Sequence, residues 1–148
     1  MAGKIYSHEL GINLASGRES ELFKWFLSCL LFGKPIQQQV AKKTYFGFKR
    51  AGLLTPEKIL NAGWDRLVKV LDAGHYVRYD FSTATKLLKI CKTLTKKYGT
   101  LTKLINQCKN KKELTQKLLE FKYIGPVTVK IFLRDLNLYS SKFMAIKK

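Results

Sequence analysis

The residues best suited to do chemistry lie in the run Lys122-Tyr123-Ile124-Gly125-Pro126-Val127-Thr128, between two stretches of helical periodicity. Leu114, Leu118 and Phe121 form an apolar stripe before it, and Val129, Ile131, Phe132 and Leu133 another after it. The spacing predicts two helices joined by a turn of about four residues. Gly125 can take a positive φ without a Cβ clash and lets a ligand come close to the backbone. Pro126 pre-sets φ for the first turn of the second helix and gives up an N–H that the helix cannot use. Ile124 supplies the apolar anchor of the turn. The N–H groups of Gly125, Val127 and Thr128 are then predicted to face outward at a positive helix end, a cradle for phosphate flanked by Lys122 and Lys130. Such contacts hold a nucleic-acid backbone and read no base sequence. The competing reading is an ordinary helix–helix turn whose glycine only caps.

Charge favours the first reading. The chain has 148 residues with 28 Lys+Arg against 10 Asp+Glu, a formal net charge of +18. Residues 1–74 carry 11 basic and 6 acidic side chains (+5), and residues 75–148 carry 17 and 4 (+13). An excess of this size repels itself unless a polyanion offsets it. Nucleic acid is the first candidate and an anionic membrane surface the second, and scattered lysines kept for solubility explain the C-terminal bias poorly. The lysines of residues 86 to 112 read as a solvated face, or, beside a phosphate cradle, as an extension of its footprint.

A second group of candidates is the loop Gly74-His75-Tyr76-Val77-Arg78-Tyr79. Tyr76 and Tyr79 can stack on bases and Arg78 can hold a phosphate; equally, the tyrosines can cover the edge of the core with their hydroxyls wet. Among the carboxylates, Asp135 beside Arg134 reads as a surface ion pair and Asp80 as the cap of a long helix. Glu19 and Glu21 are the others able to approach a cleft. Cys29, Cys91 and Cys108 are widely spaced, and no CxxC or His/Cys cluster occurs, so neither a metal nor a cofactor is expected. Cys29 and Cys91 sit in apolar helical patterns and read as buried thiols of a reducing compartment.

The elements that must position these residues are helical throughout. Leu22, Phe23, Phe26, Leu27, Leu30 and Leu31 form the rows of a buried helix from Ser20 to Phe32, stopped by Gly33. A helix with Pro35 in its first turn follows to Arg50. Thr55-Pro56-Glu57 starts a short helix that ends at Gly63, and Trp64 to Asp72 forms another. A long helix is predicted from about Ser82 to Tyr98 with its five lysines largely outside, and a short one from Thr100 to Gln107. Lys109-Asn110-Lys111-Lys112 reads as an exposed connection. Residues 1–19 lack a strong pattern and read as a loose lead-in, and 20–148 as the folded domain. The apolar fraction, 46%, is enough for a core. The longest apolar stretch, Trp25 to Phe32, is too short to cross a bilayer, and no signal peptide is visible. The expectation is a soluble all-α protein of the cytoplasm, associated with the nucleoid.

The segment Leu118 to Val129 resembles the hairpin of the endonuclease III-type helix–hairpin–helix DNA glycosylases, whose usual form is L-P-G-V-G-x-K-T-A. Leu30 to Gln37 is similar to the segment that opens their DNA-facing cleft, and Leu67 to Leu88 to their central helix–loop–helix. The resemblance covers roughly residues 22 to 136, in order. It implies an orthogonal array of helices with the hairpin at about 112–138, double-stranded DNA as partner, and Lys34 and Gln37 on the floor of a base pocket. It also implies that the loop holding Tyr76, Arg78 and Tyr79 is the one that inserts a side chain into the duplex. The departures are as informative. Tyr123 replaces the first hairpin glycine, and Val127 stands where the lyase lysine belongs, so lyase chemistry should be absent. The family's catalytic aspartate falls near Ala145, in a tail without carboxylates, and its four-cysteine cluster is missing. Matches and departures together imply a protein that grips duplex backbone. A monofunctional glycosylase acting on a damaged or mismatched base, with Asp135 or Asp80 as its acid/base, is the alternative.

Overall fold

The computed structural model describes residues 4–140 and 143, and among these every regular element is helical. Seven α-helices follow one another: α1 Glu19–Phe32, α2 Gln38–Arg50, α3 Pro56–Ala73, α4 Asp80–Lys97, α5 Leu101–Asn106, α6 Lys111–Leu119 and α7 Pro126–Arg134. No helix among the described residues is long and apolar enough to cross a membrane.

Local chemistry sets most of the boundaries. Thr55, Thr100 and Asn110 each accept the N–H three residues on, from Lys58, Lys103 and Glu113, and so open α3, α5 and α6. Pro56 and Pro126 occupy the first turns of α3 and α7, where no N–H is missed. Gly63, at φ 79 and ψ 168, breaks α3 into the two segments expected from the sequence.

The helix α1 is the centre of the molecule. Ten of its fourteen residues are buried, from Leu22 to Phe32 with Lys24 excepted, and α2, α5 and α7 pack against it. A helix apolar on all sides must be enclosed on all sides. Across it, the Trp25 indole N–H donates to the Phe132 carbonyl at 3.1 Å, and Phe26 meets Phe132 edge-on at 5.6 Å. The broken α3 packs along α4 and against α2.

Three expectations are corrected. The first described residues are not loose: two 3-10 turns, Ser7–Leu10 and Leu14–Ser16, bury Ile5, Leu10, Ile12 and Leu14 against the core. The helix after Gly33 starts at Gln38, because Pro35 lies in a bend that carries the chain out of α1. Lys111 and Lys112 belong to α6 rather than to a connection, since Asn110 starts that helix early.

Candidate nucleic-acid interface

The segment joining α6 and α7 is a tight turn held by its apolar residues. The Ile124 N–H donates to the Phe121 carbonyl at 3.2 Å, and both side chains are buried. Tyr123 and Lys122 are pushed outward in consequence, with the Lys122 ammonium over the Tyr123 ring at 5.7 Å. Gly125 is the N-cap of α7, and its carbonyl accepts from Val129. Its φ is −105 and ψ 175, an extended conformation open to any residue, so the expected positive φ is not needed. The position is open: a Cβ added at Gly125 would meet no neighbouring side chain or backbone within 4 Å. No side chain caps α7, so its first N–H groups keep the unused donors of any helix start.

That helix start opens on a cleft of about 640 Å³. Gly125, Pro126, Val127 and Thr128 form one wall, with Tyr123 beside them. Gly33 and Lys34, just past α1, supply the second wall. The first turns of α4 supply the third through Phe81, Ser82, Thr85 and Lys86. The walls meet closely where Gly33 faces Thr128: a Cβ on Gly33 would collide with the Thr128 hydroxyl and come within 3.3 Å of its Cβ. Thr128 is itself buried, so its part in binding is limited to the backbone and to shaping the floor.

Lys86 is the residue that sequence reading missed. Counted with the solvated face of α4, it is instead 6% exposed, with its ammonium donating to the Leu30 carbonyl at 3.0 Å at the end of α1. Burial, and secondarily the charge of Lys34, lowers its pKa to about 8. The signal was present in the spacing: Lys86 stands three residues after Thr83 and four before Ile90, both buried. Phe81 was missed as well. It is an apolar residue that no pattern in the sequence singles out, and it is 60% exposed.

The remaining candidates divide sharply. Lys34 lines the cleft, its ammonium 5.4 Å from the centre of the Tyr79 ring, which the Arg78 guanidinium also covers at 5.6 Å. Arg78 is exposed and Tyr79 half-buried, next to the cleft but outside its lining. Gln37 is corrected: it is an exposed residue at the start of α2 and does not line the cleft. Tyr76 is corrected as well. It is fully buried, with its hydroxyl donating to the Leu31 carbonyl, and cannot stack on a base. Tyr76 and Lys86 thus satisfy two of the carbonyls that α1 leaves unpaired at its end. Lys130 is exposed on α7.

None of the carboxylates lines the cleft among the described residues. Asp135 is no surface ion pair: it is buried and accepts from the Ser7 N–H and hydroxyl, both at 2.7 Å. Asp80 accepts from the Phe81 N–H at 2.6 Å, and a hydrogen bond between its carboxyl and that of neighbouring Asp72 raises the pKa of Asp72. Glu19 holds the start of α5 through Leu101 and Thr102, and Glu21 accepts from Asn13 and pairs with Lys24 at 2.6 Å. The position near Ala145 lies outside the described residues. No group of three or more potential metal ligands is found among the described residues. Cys29, Cys91 and Cys108 are buried thiols, and burial pushes Cys91 up to about 12. No protein-family model, curated protein or solved structure matches the chain.

Proposed function

We propose that this chain binds double-stranded DNA by its phosphate backbone, without base readout, through the start of α7 and the cleft beside it. The observation that carries this reading is Gly125: an uncapped helix start, with open space where a side chain would stand, faces a cleft holding Lys34 and Lys86. Unused N–H groups and a helix dipole meet a cleft lined by two lysines, a setting suited to a phosphate oxygen. Exposed Lys122 and Lys130 extend the positive surface on either side. In this reading α6, the turn and α7 are a helix–hairpin–helix, and the helices around α1 form the orthogonal array of the endonuclease III-like glycosylases. Valine at 127 provides no amine for lyase chemistry. With no carboxylate lining the cleft among the described residues, the reading stops at binding.

The test is Gly125→Ala. Alanine suits the observed φ and ψ and meets no neighbour, so the variant should fold, at a cost of at most about 1 kcal/mol for the poorer N-cap. Its methyl group would occupy the approach to the N–H groups. Duplex affinity, followed by fluorescence anisotropy at low salt, should fall about tenfold, the loss of one hydrogen bond to a charged group. Two duplexes of unrelated sequence should lose equally. Unchanged affinity in the variant, or strong discrimination between the two sequences by the parent protein, would reject the reading.

A further inference from the structure

We propose that Phe81 and Trp64 form a stacking platform for an unpaired nucleobase, so that the chain prefers gapped or single-stranded DNA to intact duplex. The proposal rests on the DNA-binding reading above and adds the form of strand that the site takes.

Four of the seven large apolar side chains exposed among the described residues stand at the cleft or beside it. Phe81, Tyr123 and Val127 all stand on the rim of the cleft and are exposed. Trp64, 37% exposed, lies against Phe81 with ring centres 5.1 Å apart and planes at 46°. Its indole N–H donates to the Thr85 hydroxyl at 3.1 Å, which fixes the ring to the same helix that carries Phe81. Within this apolar rim sit Lys34 and Lys86.

Rings interleaved with cations are what single-strand binding surfaces use: the cations follow the phosphates and the rings receive the bases. A protein partner is the poorer match, because charged residues are depleted in the cores of protein interfaces and two lysines line this cleft. In an intact duplex each base is already stacked on its neighbours and offers no free face. The platform therefore adds nothing to duplex affinity, and its contribution appears as a preference for unpaired nucleotides.

The two tryptophans make the test direct. Trp25 is fully buried, so a change in emission on adding nucleic acid reports Trp64. Three probes are titrated at one low salt concentration: a thymine oligonucleotide of about ten residues, within the range that such sites cover, a duplex with a short gap, and an intact hairpin duplex. The first two should quench Trp64 and bind more tightly than the third, and Trp64→Phe should abolish the quench. Phe81→Ala should weaken the first two by about tenfold and the hairpin distinctly less, while Phe81→Tyr retains the preference. Equal affinity for all three probes would overturn the platform, as would loss of affinity shared equally among them in Phe81→Ala. Phe81→Ala binding like the parent would also overturn it and leave the patch to a protein. No binding to any probe would reject the backbone reading with it; hairpin binding without quench or preference rejects the platform alone.

Discussion

Lys86 carries the clearest consequence at the scale of single residues. In the unfolded chain it ionises near 10.5 and in the fold near 8. Below about 8 both states hold the proton, and the fold bears the full cost of a buried charge. Between the two values the unfolded chain holds the extra proton, so stability rises with pH. Lys86→Met should remove that rise. The difference in unfolding free energy between the two proteins, measured in urea from about pH 8 to about pH 10, should therefore grow in favour of the parent by about 3 kcal/mol at most. Tyr45 and Tyr76, whose phenols burial pushes upward, act in the opposite sense above about pH 10 and cancel in the comparison. A flat difference would mean that Lys86 is better solvated than its burial implies. The same residue shows why side-chain roles were only partly legible in the sequence. The turn at Gly125-Pro126 was, since its chemistry is local, although Gly125 is extended rather than at positive φ. Tyr76, Lys86 and Asp135 were not, because their partners lie far along the chain: Leu31, Leu30 and Ser7.

At the scale of elements, the helices were legible almost throughout, and two glycines explain how closely they pack. A Cβ on Gly74 would come within 2.9 Å of the Thr44 backbone in α2. Backbone cannot move aside cheaply, so Gly74→Ala should cost about 1–3 kcal/mol in a denaturant titration. Gly33 instead faces the Thr128 side chain at the start of α7. Gly33→Ala should disturb the cleft more than its stability loss implies, lowering duplex affinity further than Gly74→Ala does. Removing the hydroxyl through Thr128→Ala should restore part of it. Equal effects on binding from the two glycine variants would show that the spacing of α1 and α7 does not set the site. Neither contact was visible in the sequence, where a glycine after a helix reads only as a stop. The kink at Gly63 was visible, since it divides two apolar stripes. Two helix starts erred: Asn110 opens α6 two residues before Glu113, and the bend holding Pro35 delays α2 to Gln38.

For the whole molecule the governing quantity is its charge. The ion pairs among the described residues are Lys24–Glu21 and Lys97–Glu120, so a net +18 is left largely to solvent. Salt should act in opposite directions on fold and function. Screening relieves self-repulsion and raises the thermal midpoint, while duplex affinity falls with a log–log slope of about −0.9 for each phosphate engaged. A slope near zero would count against a phosphate-based grip. The ties across α1 set a different constraint, one of timing. Trp25 waits for Phe132 and Ser7 for Asp135, and a ribosome adding about 5–20 residues per second takes roughly 5–20 s to make the chain between the first two. For that interval the most apolar helix of the protein has no cover on its α7 side. The nascent chain, rather than the finished fold, is thus its most aggregation-prone form, and substitutions that weaken α7 should first appear as poor yield.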